Sequence, residues 1–379
     1  MRRMIYADNA ATTKLDIDAF ETMRSYLLED YANASQPYFF SQKAKHALKK
    51  SRKIIAECIG AEPEEIYFTS GGTESDNWAI KCFGNSGDIR KVVTSSIEHH
   101  AIINACKATG YTVEYLPVDS MGIVSEEVLA NSMKEKNRFI PSCLSTLVSI
   151  MLVNNEIGTI EPIKELAAIA HEYGAYFHTD AVQGVGHVPI NVKELGVDML
   201  SASAHKFNGP KGIGFLYIRN GTRISSYENG GAQENGMRAG TENVAAIVAM
   251  AVALKKNCEN MDKIRNNLYE LENRFIRSIQ DTEIPFIRNG AKNHVPGNIS
   301  LSIKDTSGEM LLHRLDLMGI CISTGSACDS SNTQISHVIK AIGVPEEYAK
   351  GTIRISLGND NTESDVDEIA RALIKILRK

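Results

Sequence analysis

The chain has 379 residues, 43% of them hydrophobic and 23% charged, with a net charge of −5. That profile belongs to a globular protein with room for one large or two ordinary domains, and the acidic balance argues against a nucleic-acid partner. Seven cysteines, scattered without a C-x-x-C pair, argue against a disulfide framework or any metal site and point to the reducing cytoplasm.

The opening MRRMIYADNAATT has two arginines but no apolar run behind them, so it does not read as a signal peptide. From about residue 50 to 250, short β-branched runs alternate with longer amphipathic ones. EEIYFT (64–69) leads to a helical reading through Asn77 to Cys82, and KVVTSSI (91–97) precedes HAIINACKATG and TVEYLPV (112–118). LVSIMLV (147–153) precedes KELAAIAHEYG and AYFHTDA (175–181), then VDMLSASA (197–204) and GIGFLYI (212–218). This repetition predicts an α/β fold whose mostly parallel sheet is covered by helices on both faces.

VAAIVAMAVAL (244–254) is the longest apolar stretch. It is too short to span a membrane and reads as a buried helix. One long charged helix is predicted next, over KKNCENMDKIRNNLYELENRFIRSI, followed by strand NISLSI (298–303), a helix, a polar tether and the final pair TIRISL and DVDEIARALIKIL. We therefore expect a large domain over 15–255, and a smaller α/β domain over 1–14 and 256–379 that carries a loop at about 323–334.

Open α/β sheets bind ligands beyond the carboxyl ends of their strands, so the residues just after each strand matter most. After EEIYFT, Gly71 and Gly72 permit close backbone approach and Thr73 offers a hydroxyl at a helix start, which suits an anion or an ordinary capped turn. Adjacent His99 and His100 after KVVTSSI point differently, against a shared metal; a histidine here is structural unless the same crevice gives it company. Asn154 and Asn155 read as turn residues. Asp180, ahead of Gln183, ends a buried strand and needs a cation, either a cofactor nitrogen or a structural arginine. Lys206, between Ser203, His205 and a Gly/Pro turn, is a Schiff-base candidate; a surface loop lysine is the alternative, which Lys211 fits better. An anion cradle, a flat-ring neighbour, a carboxylate and a lysine at successive strand ends are the groups that pyridoxal phosphate requires.

The motifs TSGGTESDN, EHHA, VNNEIGT, HTDAVQ, SAHKFNGPKG, MRAGTEN and GSAC resemble cysteine desulfurases of the NifS/IscS type. These belong to the class V aminotransferase group, pyridoxal-phosphate enzymes of the aspartate aminotransferase-like fold type I. The resemblance runs from YADNAATT (6–13) to TIRISLG (352–358). It implies Lys206 as the lysine that carries pyridoxal 5'-phosphate, Asp180 as partner of its ring nitrogen, and His99 as a ring stack that helps move protons. Asn155 and Gln183 would contact the ring hydroxyl side; Gly72, Thr73, Ser203 and His205 would hold the phosphate. Thr241 would reach the phosphate of the other subunit of a homodimer. Arg354 would clamp the carboxylate of L-cysteine, with Asn33 as a second contact.

Within STGSACDSS (323–331), Cys328 falls where the family's catalytic cysteine lies on a mobile loop. The implied activity converts L-cysteine to L-alanine and leaves a persulfide on Cys328, for iron–sulfur cluster assembly or other sulfur delivery, with an acceptor such as an iron–sulfur scaffold protein. A selenocysteine lyase or another class V enzyme is the alternative, and a scaffold in sulfur trafficking a third. Three departures from the family stand out. Asp329 replaces the usual Ser or Thr after the catalytic cysteine and is expected to raise the thiol pKa. Tyr38 and Ser41 replace a histidine and a glycine, and Lys379 lies close behind the last helix. Cys58, Cys82, Cys106, Cys258 and Cys321 read as structural.

Overall fold

The computed structural model describes residues 4–134, 144–325 and 335–378. In chain order its strands are β1 (Ile5–Tyr6), β2 (Ile66–Thr69), β3 (Ile89–Ser95), β4 (Thr112–Leu116), β5 (Leu144–Ser149), β6 (Tyr176–Asp180), β7 (Met199–Ser203), β8 (Gly214–Ile218), β9 (Phe286–Arg288), β10 (Asn298–Ile303), β11 (Ile320–Cys321) and β12 (Thr352–Ser356). The main sheet has seven strands in the order β2-β8-β7-β6-β5-β3-β4. Strands β3 to β7 run parallel, and β8 runs against both its neighbours.

Consecutive apolar residues in these strands go to opposite faces. Val93, Val148, Leu200 and Phe215 join one cluster with the helix Val244–Glu259, whereas Val92, Leu147, Met199 and Leu216 join another around Trp78. A sheet buried on both faces needs near-continuous apolar strands, which is why the expected α/β architecture was readable as short β-branched runs. A second sheet, β12-β10-β9, is antiparallel. It packs Ile299, Leu301, Ile353 and Ile355 with Phe275, Leu311 and Leu373 of three covering helices. β1 pairs with β11, parallel.

Two expectations are corrected. The charged helix over 255–279 is two helices, Val244–Glu259 and Met261–Gln280. Asn260 breaks them apart: it leaves helical backbone geometry, and its side-chain amide donates to the Lys256 carbonyl, a local bond that competes with the helix. The expected strand 147–153 ends at Ser149. Beyond it Ile150 and Leu152 still donate to carbonyls of His178 and Asp180, but the chain then turns into a loop pinned by Asn154. That side chain accepts from the amides of Glu156 and Ile157 and donates to Ile97 O. No described helix is long and apolar enough to cross a membrane.

Candidate functional site

The carboxyl ends of β2, β3, β5, β6 and β7 open on one cavity of about 290 Å³, closed on the far side by Ala10, Ala11, Gly325, His337 and Arg354. Of the residues expected at the site, Gly72, Thr73, His99, Asn155, Asp180, Gln183, Ser203, His205, Lys206 and Arg354 all line it.

At one end the helix Gly72–Cys82 begins with no side-chain cap, so its first N–H groups remain free to meet an anion. Gly71 holds φ at 149°, and a Cβ on Gly72 would stand 2.5 Å from Val182 Cγ2. Both glycines are therefore required for the backbone to lie open here. Ser203 ends β7 beside this turn, and His205 Nδ1 lies 3.1 Å from Thr12 Oγ1. Burial, reinforced by Lys206, holds the His205 imidazole down at about 4, hence neutral.

Asp180 ends β6 buried, its Oδ1 accepting from Val182 N at 2.9 Å. Burial raises its carboxyl to about 6, while the Val182 bond and Lys206 pull the other way. Lys206 sits in a short turn after β7. Its Nζ donates to the carbonyls of Ala10 at 2.7 Å and Ala11 at 2.8 Å, and its own carbonyl accepts from His187 Nε2 at 2.8 Å. Gln183 Nε2 donates to the same Ala10 carbonyl at 2.8 Å. His99 is the N-cap of the helix His100–Lys107, and its Nδ1 accepts from Ala101 N at 3.1 Å. Its proton therefore sits on Nε2. Burial, then Lys206, lowers its pKa to about 4, so the ring is neutral and can give or take a proton without first shedding a charge.

Arg354, in the centre of β12, is 2% exposed. Its Nη2 donates to Asp8 Oδ1 at 2.7 Å and its Nη1 to the carbonyl of Asn155 at 2.9 Å, whereas Nε is buried without a partner. Nη1 also donates to the Gly325 carbonyl at 3.3 Å, so among the described residues three of the five N–H donors are used, leaving Nε and one N–H of Nη2 for further oxygens. Asn33 and Thr241 are not among the residues lining the cavity of a single chain. Asn33 spends its Oδ1 on Ser35 N, closing its own turn, and Thr241 is exposed. Tyr38 is exposed, and Ser41 donates to the carbonyls of Gln36 and Tyr38. Cys328 and Asp329 lie outside the described residues.

Sequence reasoning missed five contributors. Ala10 and Ala11 act through carbonyls, which no residue type announces. His337 lines the cavity and its Nε2 donates to the Glu98 carbonyl at 3.0 Å. Asp76 and Glu98 are buried carboxyls on the cavity wall; both lay inside motifs already noted, TSGGTESDN and EHHA, overshadowed by their neighbours.

An open helix start, a buried acid, a neutral imidazole and a tethered lysine around one cavity suit a phosphorylated heterocyclic aldehyde. Comparison with known proteins agrees. A family model described as "Aminotransferase class-V" matches residues 5–369. A "Cysteine desulfurase IscS" of Dictyoglomus turgidum is 46% identical over 385 residues, spanning 100% of this chain and 96% of that one. A solved structure titled "NIFS-LIKE PROTEIN" superposes with a TM-score of 0.90 at 34% identity, covering 99% of this chain and 100% of that one. Another, "SspA in complex with cysteine", gives 0.79 at 33% identity over 94% of this chain and 100% of that one. With a match along nearly its whole length, the chain belongs to the class-V aminotransferases, enzymes that work with pyridoxal phosphate.

Proposed function

We propose that the protein is a pyridoxal-phosphate-dependent cysteine desulfurase: L-cysteine and an enzyme thiol give L-alanine and an enzyme persulfide. The observation that carries this reading is the convergence of Lys206, Asp180, His99 and Arg354 on one cavity in a chain similar throughout to cysteine desulfurases. The balance closes, because the sulfur atom leaves cysteine for the thiol and every hydrogen is kept between the two products.

The residues fit the cofactor. The uncapped helix start with Gly72 and Thr73, joined by Ser203 and His205, would hold the phosphate. Asp180 would meet the ring nitrogen, His99 the ring face, and Asn155 and Gln183 the ring-hydroxyl side. Once bound there, pyridoxal phosphate supplies the electron sink that makes loss of a Cα proton feasible.

The chain's own groups do the rest. Lys206 would hold the cofactor and would move the Cα proton; the two alanine carbonyls fix its Nζ in the crevice. His99 exchanges a proton through Nε2. Arg354 receives the substrate carboxylate with its unpartnered Nε, and Asn33 is a second contact to it. Cys328, as thiolate, takes the sulfur. A second copy of the chain is supported by the exposed apolar run of Leu27, Leu28, Tyr31, Tyr38 and Phe39, the last 91% exposed, and would bring Thr241 to the neighbouring phosphate. The persulfide would pass to an acceptor protein such as an iron–sulfur scaffold.

The test is sulfide and alanine release from L-cysteine with a reductant, wild type beside Cys328→Ala, each with its visible cofactor absorbance recorded. Equimolar products, lost in the variant while the absorbance stays, are expected. An equally active variant would remove Cys328 from the reaction and favour a lyase that works without a loop thiol.

A further inference from the structure

Glu98 is fully buried, 0% exposed, in the turn just beyond β3 and on the cavity wall. Its Oε1 accepts twice, from Ser95 Oγ at 2.6 Å and from Met151 N at 3.0 Å. Its Oε2 is buried and has no partner among the described residues. The titratable groups facing it are acidic or thiol: Asp180 on β6, Asp76 on the helix Gly72–Cys82, Glu161 beyond the Asn154 loop, and Cys106 on the next helix. His337 Nε2 donates to the Glu98 backbone carbonyl at 3.0 Å. No cation pairs with the carboxyl among the described residues, and a buried carboxyl without one keeps its proton. The two donors occupy Oε1, so the proton sits on Oε2. A buried O–H with nothing to bond is costly, and the cavity's occupant is what can satisfy it.

We propose that Glu98 is a positioning residue for the cofactor: an un-ionised acid that donates a hydrogen bond from Oε2 to an oxygen of bound pyridoxal phosphate. An acid kept neutral in an apolar site so that it can donate is an established device. The inference rests on the reading that pyridoxal phosphate occupies this cavity.

The experiment measures pyridoxal phosphate binding to cofactor-free protein by absorbance, from about pH 6 to 10, for wild type, Glu98→Gln and Glu98→Met, with circular dichroism to verify folding. The amide of Gln keeps an uncharged donor; Met removes it at similar length. Burial raises the Glu98 carboxyl to about 8. Wild-type affinity should therefore fall relative to Glu98→Gln as pH climbs past that value, while the two bind alike below it. Glu98→Met should bind about tenfold more weakly throughout. Infrared spectra should show an un-ionised carboxylic acid in cofactor-free wild type at neutral pH that Glu98→Gln lacks.

A flat wild-type-to-Gln ratio, or no such infrared difference, overturns the proposal even if the Met variant fails to fold, and so does tight binding by a folded Met variant. Wild type that binds no pyridoxal phosphate overturns the cofactor reading as well; normal wild-type binding with a flat ratio overturns the role of Glu98 alone.

Discussion

Asp76 shows how far residue type alone can mislead. In sequence it is one polar residue at a helix start; in the fold it is buried, with Oδ1 unpartnered and His178 Nε2 3.8 Å away. Burial first, and then Asp180, raise its carboxyl well above the ordinary range. The folded chain then holds a proton that the unfolded chain releases near pH 4, so stability falls as pH rises from there toward the raised value. Asp76→Asn, which has the same shape and never ionises, should unfold at a higher temperature than wild type at pH 8 and lose that advantage near pH 4. Thermal unfolding at the two pH values checks this. That Lys206, Asp180 and His99 would share one crevice was legible because each stands at or just after the end of a recognisable strand. Asp76, Glu98 and the Ala10 and Ala11 carbonyls were not, because their importance comes from burial and from chain partners far away in sequence.

Among elements, the pairing of β7 with β8 shapes the end of the site at the Gly71–Gly72 turn. A Cβ on Gly214, at the start of β8, would stand 2.3 Å from the Ala202 carbonyl and 2.8 Å from Gly71 Cα. Gly214→Ala must therefore push β8 off β7, or Gly71 out of its open turn. We expect a loss of about 1–3 kcal/mol in stability, read by denaturant unfolding, together with weaker pyridoxal phosphate binding. A second glycine behaves differently: Gly212 holds φ at +79° with nothing within 4 Å, so Ala there should cost stability through backbone strain and leave cofactor affinity alone. Strand positions were readable from β-branched runs, whereas the Asn260 break was hidden inside a continuous helical pattern. The last turns of the strand at 147–153 were also hidden, since apolar residues continue past the point where the chain leaves the sheet.

At the scale of the molecule, the segment that follows β1 is tied to β12, beside the cavity, through Asp8 and Arg354. The guanidinium is buried and Asp8 Oδ1 lies 2.7 Å from Nη2. Removing one partner of a buried pair leaves an uncompensated charge. Asp8→Ala is expected to cost about 3–5 kcal/mol by denaturant unfolding, well beyond the effect of breaking the exposed Lys14–Asp360 pair. The general architecture, a parallel sheet followed by a smaller α/β region, could be seen in the order of elements. The Asp8–Arg354 link could not, because nothing local marks two residues so far apart as partners.

The grip on Lys206 has a consequence in time. The carbonyls that hold its Nζ belong to Ala10 and Ala11, and Ala10 N is itself fixed by Ser356 Oγ at 2.9 Å. On the ribosome Ala10 and Ala11 emerge well before Ser356, their anchor. Domains fold as the chain appears, so the parallel sheet can assemble with its lysine still unfastened. The Lys206 amine gains its fixed address only once Ser356 has been made, and a chain truncated before that residue, however well its sheet is formed, has no finished seat for it.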